Sequence, residues 1–195
     1  MVLLSTGCTA LKQCAYEGFN RDEWQHPERV IASLDLQQSQ HLADLGSGSG
    51  YFTLRLADAV GRTGKVYAVD VDPEMNEVLA QRAKDGGFDN IEVILAKYDD
   101  PRLPESGVDL IFSSNTYHHL EDRVAYFARV AKYLRPNGRI AIIDFNGEGW
   151  LHTLLPHWTA AEVIEGEMKE AGYSLERRHD FLPKQHFLIF SAGTP

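Results

Sequence analysis

The segment Ala43–Thr53, ADLGSGSGYFT, is the strongest constraint on what this chain can fold into. A short apolar run enters a turn with glycines at 46, 48 and 50 and leaves as an amphipathic stretch. The chain must therefore pass from a buried strand through a tight turn into a helix. Glycines there let the backbone turn sharply and let a ligand come close to the helix N-terminus. A second strand-like run, VYAVDVD, follows and carries Asp70, 20 positions beyond Gly50. A carboxylate at that place can accept both hydroxyls of a ribose, as the acidic residue of a dinucleotide-binding strand–helix–strand unit does.

The alternation of short apolar runs with amphipathic stretches continues along the chain, as a parallel sheet with helical crossovers requires. Strand-like runs occupy His41–Leu45, Val66–Val71, Ile91–Ala96, Val108–Ser113 and Arg139–Phe145. All are rich in Val, Ile or Leu, as expected of strands covered on both faces. Asp72 reads as an N-cap before Pro73, with Met75, Leu79 and Ala83 on one helical face before Gly86-Gly87. A second helix begins at Glu121 and Asp122, carries Val124, Phe127, Ala128, Ala131 and Leu134, and ends at the turn Pro136-Asn137-Gly138. A third has a capping box, Thr159 with Glu162, then Ile164, Met168 and Ala171 before Gly172. Tyr173 to Phe181 and His186 to Phe190 are too closely spaced for a helical crossover, so they should pair as an antiparallel hairpin. The expected fold class is α/β, a doubly wound, mostly parallel sheet ending in an antiparallel hairpin.

A chain of 195 residues fits one such domain, assigned to residues 26–195 and preceded by an N-terminal segment, 1–25. The net charge of −9 argues against holding nucleic acid by phosphate neutralisation and favours a cationic or neutral ligand. Cys8 and Cys14 are too few for a structural zinc site or a disulfide framework, so a reducing, cytoplasmic setting is expected. The apolar runs are too short for membrane insertion. The start, MVLLSTGC, allows a second reading as the remnant of a lipoprotein signal ending at Cys8, although it has no basic leader and only a short apolar stretch.

The turn itself separates two ligand classes. In a dehydrogenase fingerprint the third glycine would stand where Tyr51 stands, one position later than Gly50. Asp44, two residues before Gly46, would repel a pyrophosphate but attract an ammonium group. S-adenosylmethionine has no phosphate and carries both an ammonium and a sulfonium, so its charge suits this loop better than that of NAD.

Asp44-Leu45-Gly46-Ser47-Gly48-Ser49-Gly50, the strand ending at Asp70, the stretch LPESGVDLIFSSNTYHHLED and the later YLRPNGRIAIIDF together resemble the class I S-adenosylmethionine-dependent methyltransferases. The likeness is to the group that includes quinone and small-molecule methyltransferases, and it covers about Leu42 to Phe145 as an ordered series. It implies a Rossmann-like, seven-stranded sheet with a reversed final strand. It also implies that Asp44, Gly46, Ser47 and Gly48 hold the methionine end, Asp70 the ribose hydroxyls and Val71 the adenine. Where the group usually has an Asp after the third strand this chain has Lys97, so either Asp99 or the backbone at Tyr98 is expected to replace that contact.

Asn115, Thr116, Tyr117 and His118 follow the fourth strand at the carboxyl edge of the sheet, where ligands of open α/β sheets bind. Asn115 is therefore assigned to the cofactor, and Tyr117 and His118 are the candidate proton acceptors for a hydroxyl or carbon acid. The His118-His119 pair lacks a third ligand at a recognisable spacing, so no metal is expected. The segment 16–25 is rich in aromatic residues without helical or strand periodicity. Its Tyr16, Phe19 and Trp24 either roof the cofactor pocket or cover a sheet edge. Trp150, Leu151, Leu154, Leu155 and Trp158 form a second apolar cover. The function expected is methyl transfer to a small-molecule acceptor in a lidded pocket. The alternative is a non-catalytic scaffold that has kept the fold, motivated by Lys97.

Overall fold

The computed structural model describes residues 20–148 and 158–193. The chain forms α1 (Arg21–Gln25), α2 (Pro27–Ser33), β1 (His41–Leu45), α3 (Thr53–Val60), β2 (Lys65–Asp70), α4 (Pro73–Asp85), β3 (Ile91–Leu95) and β4 (Val108–Ser114). After a single turn of 3-10 helix at Tyr117–His119 come α5 (Arg123–Val130), β5 (Leu134–Phe145), α6 (Ala161–Glu170), β6 (Tyr173–His179) and β7 (Gln185–Ala192). The seven strands make one sheet in the order β3-β2-β1-β4-β5-β7-β6. The first five strands pair in parallel, and β7 pairs antiparallel with both β5 and β6. The α/β, mostly parallel architecture with a reversed C-terminal hairpin is therefore the one expected.

Strand periodicity divides the core into two layers, because successive side chains point to opposite faces. Ala43, Ile111, Ile140, Ile142, Leu188 and Phe190 face one layer, closed by Phe127 and Val130 of α5 and Ile164 and Met168 of α6. Leu42, Leu110, Phe112, Ala141, Ile143, Phe187 and Ile189 face the other, closed by Val30 of α2 and Leu56 and Val60 of α3. The edge strand β3 is only half buried, unlike the strands between which the sheet is built.

Three local expectations are corrected. The second helix does not run to Leu134: it ends at Val130, and Leu134 opens β5 by pairing with Val108. The Pro136-Asn137-Gly138 turn is a bulge within that strand, opposite the register shift at Val108/Leu110, with Asn137 at φ 63°. A β-bulge tolerates proline and a left-handed residue inside a strand. The capping box at Thr159 and Glu162 does not form, since α6 begins after Ala160, which makes no side-chain cap, and Thr159 is buried instead. Segment 16–25 is not wholly aperiodic, because Arg21–Gln25 is a short helix. Asp72, in contrast, caps α4 as expected, accepting from the backbone N–H groups of Glu74 and Met75. Tyr16, Phe19, Cys8, Cys14, Trp150, Leu151, Leu154 and Leu155 lie outside the described residues.

The strand order reverses between β1 and β4, and a crevice opens beyond the carboxyl ends of such strands. Gly46 follows β1 there at φ 73°, and a Cβ on it would lie 1.9 Å from Thr116 Oγ1, beyond β4. Gly46→Ala should therefore lower stability by about 1–3 kcal/mol. The melting temperature should fall by about 2–12 °C. Thermal unfolding monitored by circular dichroism checks this, and adding Thr116→Ala should restore part of the loss.

Candidate functional site

The glycine turn is held by backbone hydrogen bonds to the neighbouring strand. Gly46 and Ser47 both donate to the Val69 carbonyl, at 2.8 and 3.2 Å, and Gly48 donates to Asp70 Oδ2 at 2.8 Å. Gly46, Gly48 and Gly50 all have positive φ, which side chains resist. The other Asp70 oxygen accepts from the N–H of Asp72 at 2.9 Å. Burial pushes the Asp70 carboxyl above its ordinary range, while these backbone donors oppose the shift.

Asp44, the fourth residue of β1, is almost wholly buried below the turn and accepts a 2.6 Å hydrogen bond from Thr53 Oγ1, at the start of α3. Burial pushes its carboxyl up to about 7, opposed by Thr53 and by the nearby charge of Arg21. Arg21 comes from α1. Its guanidinium lies 3.8 Å from the Tyr51 ring centroid, and its Nε donates to Gln25 Oε1. Burial draws its pKa down to about 10, but an arginine at that value remains charged near neutrality.

These groups border a cavity of about 470 Å³ beyond the carboxyl ends of β1, β2 and β4. Asp44, Gly46, Ser47, Gly48, Asp70, Val71, Tyr98 and Asn115 all border it, as does Lys97. Asp99 does not, and the Tyr98 side chain is 85% exposed at the rim. Ser47 Oγ is buried without a hydrogen-bond partner among the described residues. On the other wall stand Ser114, Asn115, Thr116, His119 and Leu120.

Neither residue expected to take a proton borders the cavity. Tyr117 is fully buried, stacks on Phe127 with ring centroids 5.4 Å apart, and donates to Glu167 Oε2 at 2.6 Å. Arg123 closes the same carboxylate with bonds of 2.7 and 2.8 Å. Burial and the Glu167 carboxylate push the Tyr117 phenol far above its ordinary range, so it is no base near neutral pH. His118 is buried and shares a 2.6 Å hydrogen bond between Nδ1 and Asp144 Oδ1. His119 is the member of this turn that faces the cavity, its ring centroid 4.1 Å from that of His118. A 3-10 turn separates successive side chains by about a third of a revolution, so adjacent residues have different surroundings.

The sequence reading missed Arg21, because a five-residue helix is too short for periodicity to mark its inner face. The usable signal was the spacing of Arg21 and Gln25, four residues apart and directly before His26-Pro27.

The raised Asp44 value links stability to pH. The folded protein holds this proton up to about 7, whereas an unfolded Asp releases it near 3.8. The associated stability is complete below the lower value and is lost as pH rises through the higher one. Urea unfolding from pH 4 to 8 should show this decline, and Asp44→Asn should flatten it.

Comparison with known proteins places this geometry in context. A family model described as a methyltransferase domain matches residues 36–178. Nocamycin O-methyltransferase of Saccharothrix syringae is 31% identical over 114 residues, covering 58% of this chain and 41% of the relative. Aklanonic acid methyltransferase DauC of Streptomyces sp. (strain C5) is 32% identical over 113 residues, covering 58% and 51%. The ubiquinone/menaquinone biosynthesis C-methyltransferase UbiE of Psychromonas ingrahamii is 26% identical over 112 residues, covering 57% and 45%. The chain thus spans about half the length of the curated relatives it matches. Among solved structures, a SAM-dependent methyltransferase from Aquifex aeolicus matches with a TM-score of 0.86 at 25% identity, over 92% of this chain and 96% of its own. The Haemonchus contortus phosphoethanolamine N-methyltransferase 2 shares the fold, with a TM-score of 0.70 at 15% identity over 88% of this chain and 53% of its own.

Proposed function

Since the chain belongs to the methyltransferase domain family, we propose that it moves the methyl group of S-adenosylmethionine onto a small-molecule acceptor. The observation that carries this reading is the pair of buried carboxylates, Asp44 and Asp70, on either side of a glycine turn that borders the cavity. A cationic nucleoside fits that arrangement in charge, and the glycine turn brings backbone close to it without side chains in the way. Ser47 Oγ, which has no hydrogen-bond partner among the described residues, offers one more polar contact at the cavity.

When bound, S-adenosylmethionine supplies a methyl group on a sulfonium, an electrophile whose leaving group is a neutral thioether. Asp44 meets the ammonium, and ionised Asp70 has acceptor capacity left for ribose hydroxyls beyond its bonds to Gly48 and Asp72. Val71 and Tyr98 flank the adenine end, with Lys97 where the resemblance would place an acid. Asp99, off the cavity, is dropped from that role. Asn115 keeps the cofactor role given to it above, and Thr116 and His119 form the acceptor wall beside it. Holding acceptor and methyl in line in a site closed to water supplies most of the rate gain for such a displacement. His119 takes the place of Tyr117 and His118 as the group able to receive a proton from a hydroxyl or carbon acid, and those two residues hold the turn that carries it.

Residues 1–25 are kept as an N-terminal segment and 26–195 as the single domain; within the described residues, α1 brings Arg21 to the cavity and Gln25 to the sheet, which supports a covering role for α1. A small acceptor is supported by the cavity volume and by the names of the relatives, nocamycin and aklanonic acid methyltransferases. No helix among the described residues is long and apolar enough to cross a membrane.

Titration calorimetry should show S-adenosylhomocysteine binding at a single site, weakened about tenfold or more by Asp70→Ala. Affinity should rise with pH toward about 7 as Asp44 loses its proton. Unchanged affinity in Asp70→Ala would remove the cofactor assignment. Release of S-adenosylhomocysteine should be measured with a panel of phenols, hydroxyquinones, carboxylic acids and amines. At least one should turn over, and with a hydroxyl acceptor His119→Ala should lower kcat by about 100-fold or more.

A further inference from the structure

The side-chain amides between α1 and the end of β4 form a chain whose direction is fixed at one end. An amide has a donor end and an acceptor end of nearly the same shape, so its neighbours decide which way it faces. Arg21 decides this for Gln25, because a guanidinium donates and never accepts, and its Nε donates to Gln25 Oε1. Gln25 Nε2 then faces the other way and donates to Ser114 Oγ and to Gln185 Oε1, both at 3.0 Å. Gln185 Nε2 in turn donates to Asn115 Oδ1. Turning over either glutamine would set donor against donor at one contact and acceptor against acceptor at the next. Both glutamines are buried, where such a mismatch is costly.

The chain ends at the cavity, which Asn115 borders. The backbone of Asn115 is held by a 2.8 Å bond from its N–H to the Ile143 carbonyl, at φ 58°, a left-handed conformation that asparagine tolerates. With Oδ1 engaged by Gln185, the uncommitted end of the side chain is Nδ2, a donor with two N–H groups. Its neighbours on this wall have the opposite character. Thr116 Oγ1 donates its proton to the Ser114 carbonyl at 3.3 Å, and His119 is the group assigned to receive one. A donor next to a proton-receiving group suits a molecule that has an oxygen lone pair close to an acidic hydroxyl or carbon.

We propose that Gln185 and Gln25 are positioning residues that hold Asn115 Nδ2 as a hydrogen-bond donor to an oxygen of the methyl acceptor, close to the atom that is methylated. The inference rests on the methyl-transfer reading above and narrows the acceptor to hydroxyls and carbon acids conjugated with a carbonyl. Because Nδ2 has two N–H groups, this contact is compatible with the cofactor role given to Asn115. In the reaction the acceptor's proton passes to His119, the bond to the methyl carbon forms as the bond from that carbon to sulfur breaks, and the thioether leaves with the bonding pair. Negative charge grows on the acceptor as its proton leaves, and the conjugated oxygen shares it. A fixed donor to that oxygen is therefore worth more in the transition state than in the ground state.

Two phenols of nearly equal shape test this on the full chain at saturating S-adenosylmethionine: ortho-hydroxyacetophenone, which has the carbonyl oxygen, and ortho-ethylphenol, which lacks it. The readout is the ratio of their kcat/KM values, which a general loss of structure or of cofactor affinity does not move. Wild-type protein should favour the carbonyl compound by about 10- to 100-fold. Gln185→Met breaks the chain at a residue that does not border the cavity and should lower the ratio by about tenfold. Gln25→Met removes the anchor to Arg21 and should lower it by less. Asn115→Asp keeps the shape and tolerates the left-handed backbone but has no N–H to offer, so it should lower the ratio at least as far as Gln185→Met. Adding Gln185→Met to Asn115→Asp should change the ratio no further. An unchanged ratio in Gln185→Met would overturn the positioning role. A wild-type ratio near one, an unchanged ratio in Asn115→Asp, or methylation of other acceptors but of neither phenol would overturn the inference and leave the methyl-transfer reading in place. Failure of wild-type protein to bind S-adenosylhomocysteine would overturn the cofactor reading itself, and the inference with it.

Discussion

The carboxylate of Asp70 joins the two turns between which the site is built. One oxygen accepts the Gly48 N–H of the turn after β1, and the other accepts the Asp72 N–H at the start of α4. Its backbone carbonyl also accepts from Asn76 Nδ2, one turn into the same helix. A single side chain therefore sets the spacing between the glycine turn and the neighbouring strand–helix junction. Gly46 then fits against Thr116 only because it has no Cβ, which brings the ends of β1 and β4 together at the reversal of strand order. The cavity is the space left over by these two constraints.

The features readable in the sequence were those whose cause is local or periodic. The glycine turn, the acidic end of β2, the cap at Asp72 and the short spacing of the final hairpin each follow from a few adjacent residues. The features that escaped depend on partners far along the chain. Leu134 continues a helical stripe in sequence, yet pairing with Val108 makes it a strand residue. Thr159 has the spacing of a cap, but its burial decides otherwise. In the site, Tyr117 and His118 were chosen for their place after β4, which is correct. What sequence cannot show is that Glu167, 50 residues away, and Asp144, 26 residues away, hold them as structural groups and leave His119 at the cavity.

The excess negative charge has a local meaning that composition alone does not give. Asp44 and Asp70 are buried against the cavity, where low polarity magnifies each charge, while many of the remaining carboxylates are exposed and act through a screened field. Asp44 ionises against the cost of its burial and with the help of the Arg21 charge. The overall balance of −9 describes the surface as a whole, and these few buried groups set the local field at the cavity.

Gln25 has a kinetic consequence. Its amide connects α1 to Ser114 at the end of β4 and to Gln185 at the start of β7, and Gln185 itself donates to Asn115 at the border of the cavity. Lifting α1 off the sheet would break buried amide hydrogen bonds at several places at once, a slow event compared with side-chain rotation. Tyr98, by contrast, stands at the rim with most of its ring in solvent. The border of the cavity is therefore held most firmly under α1 and least firmly at the edge beside β3.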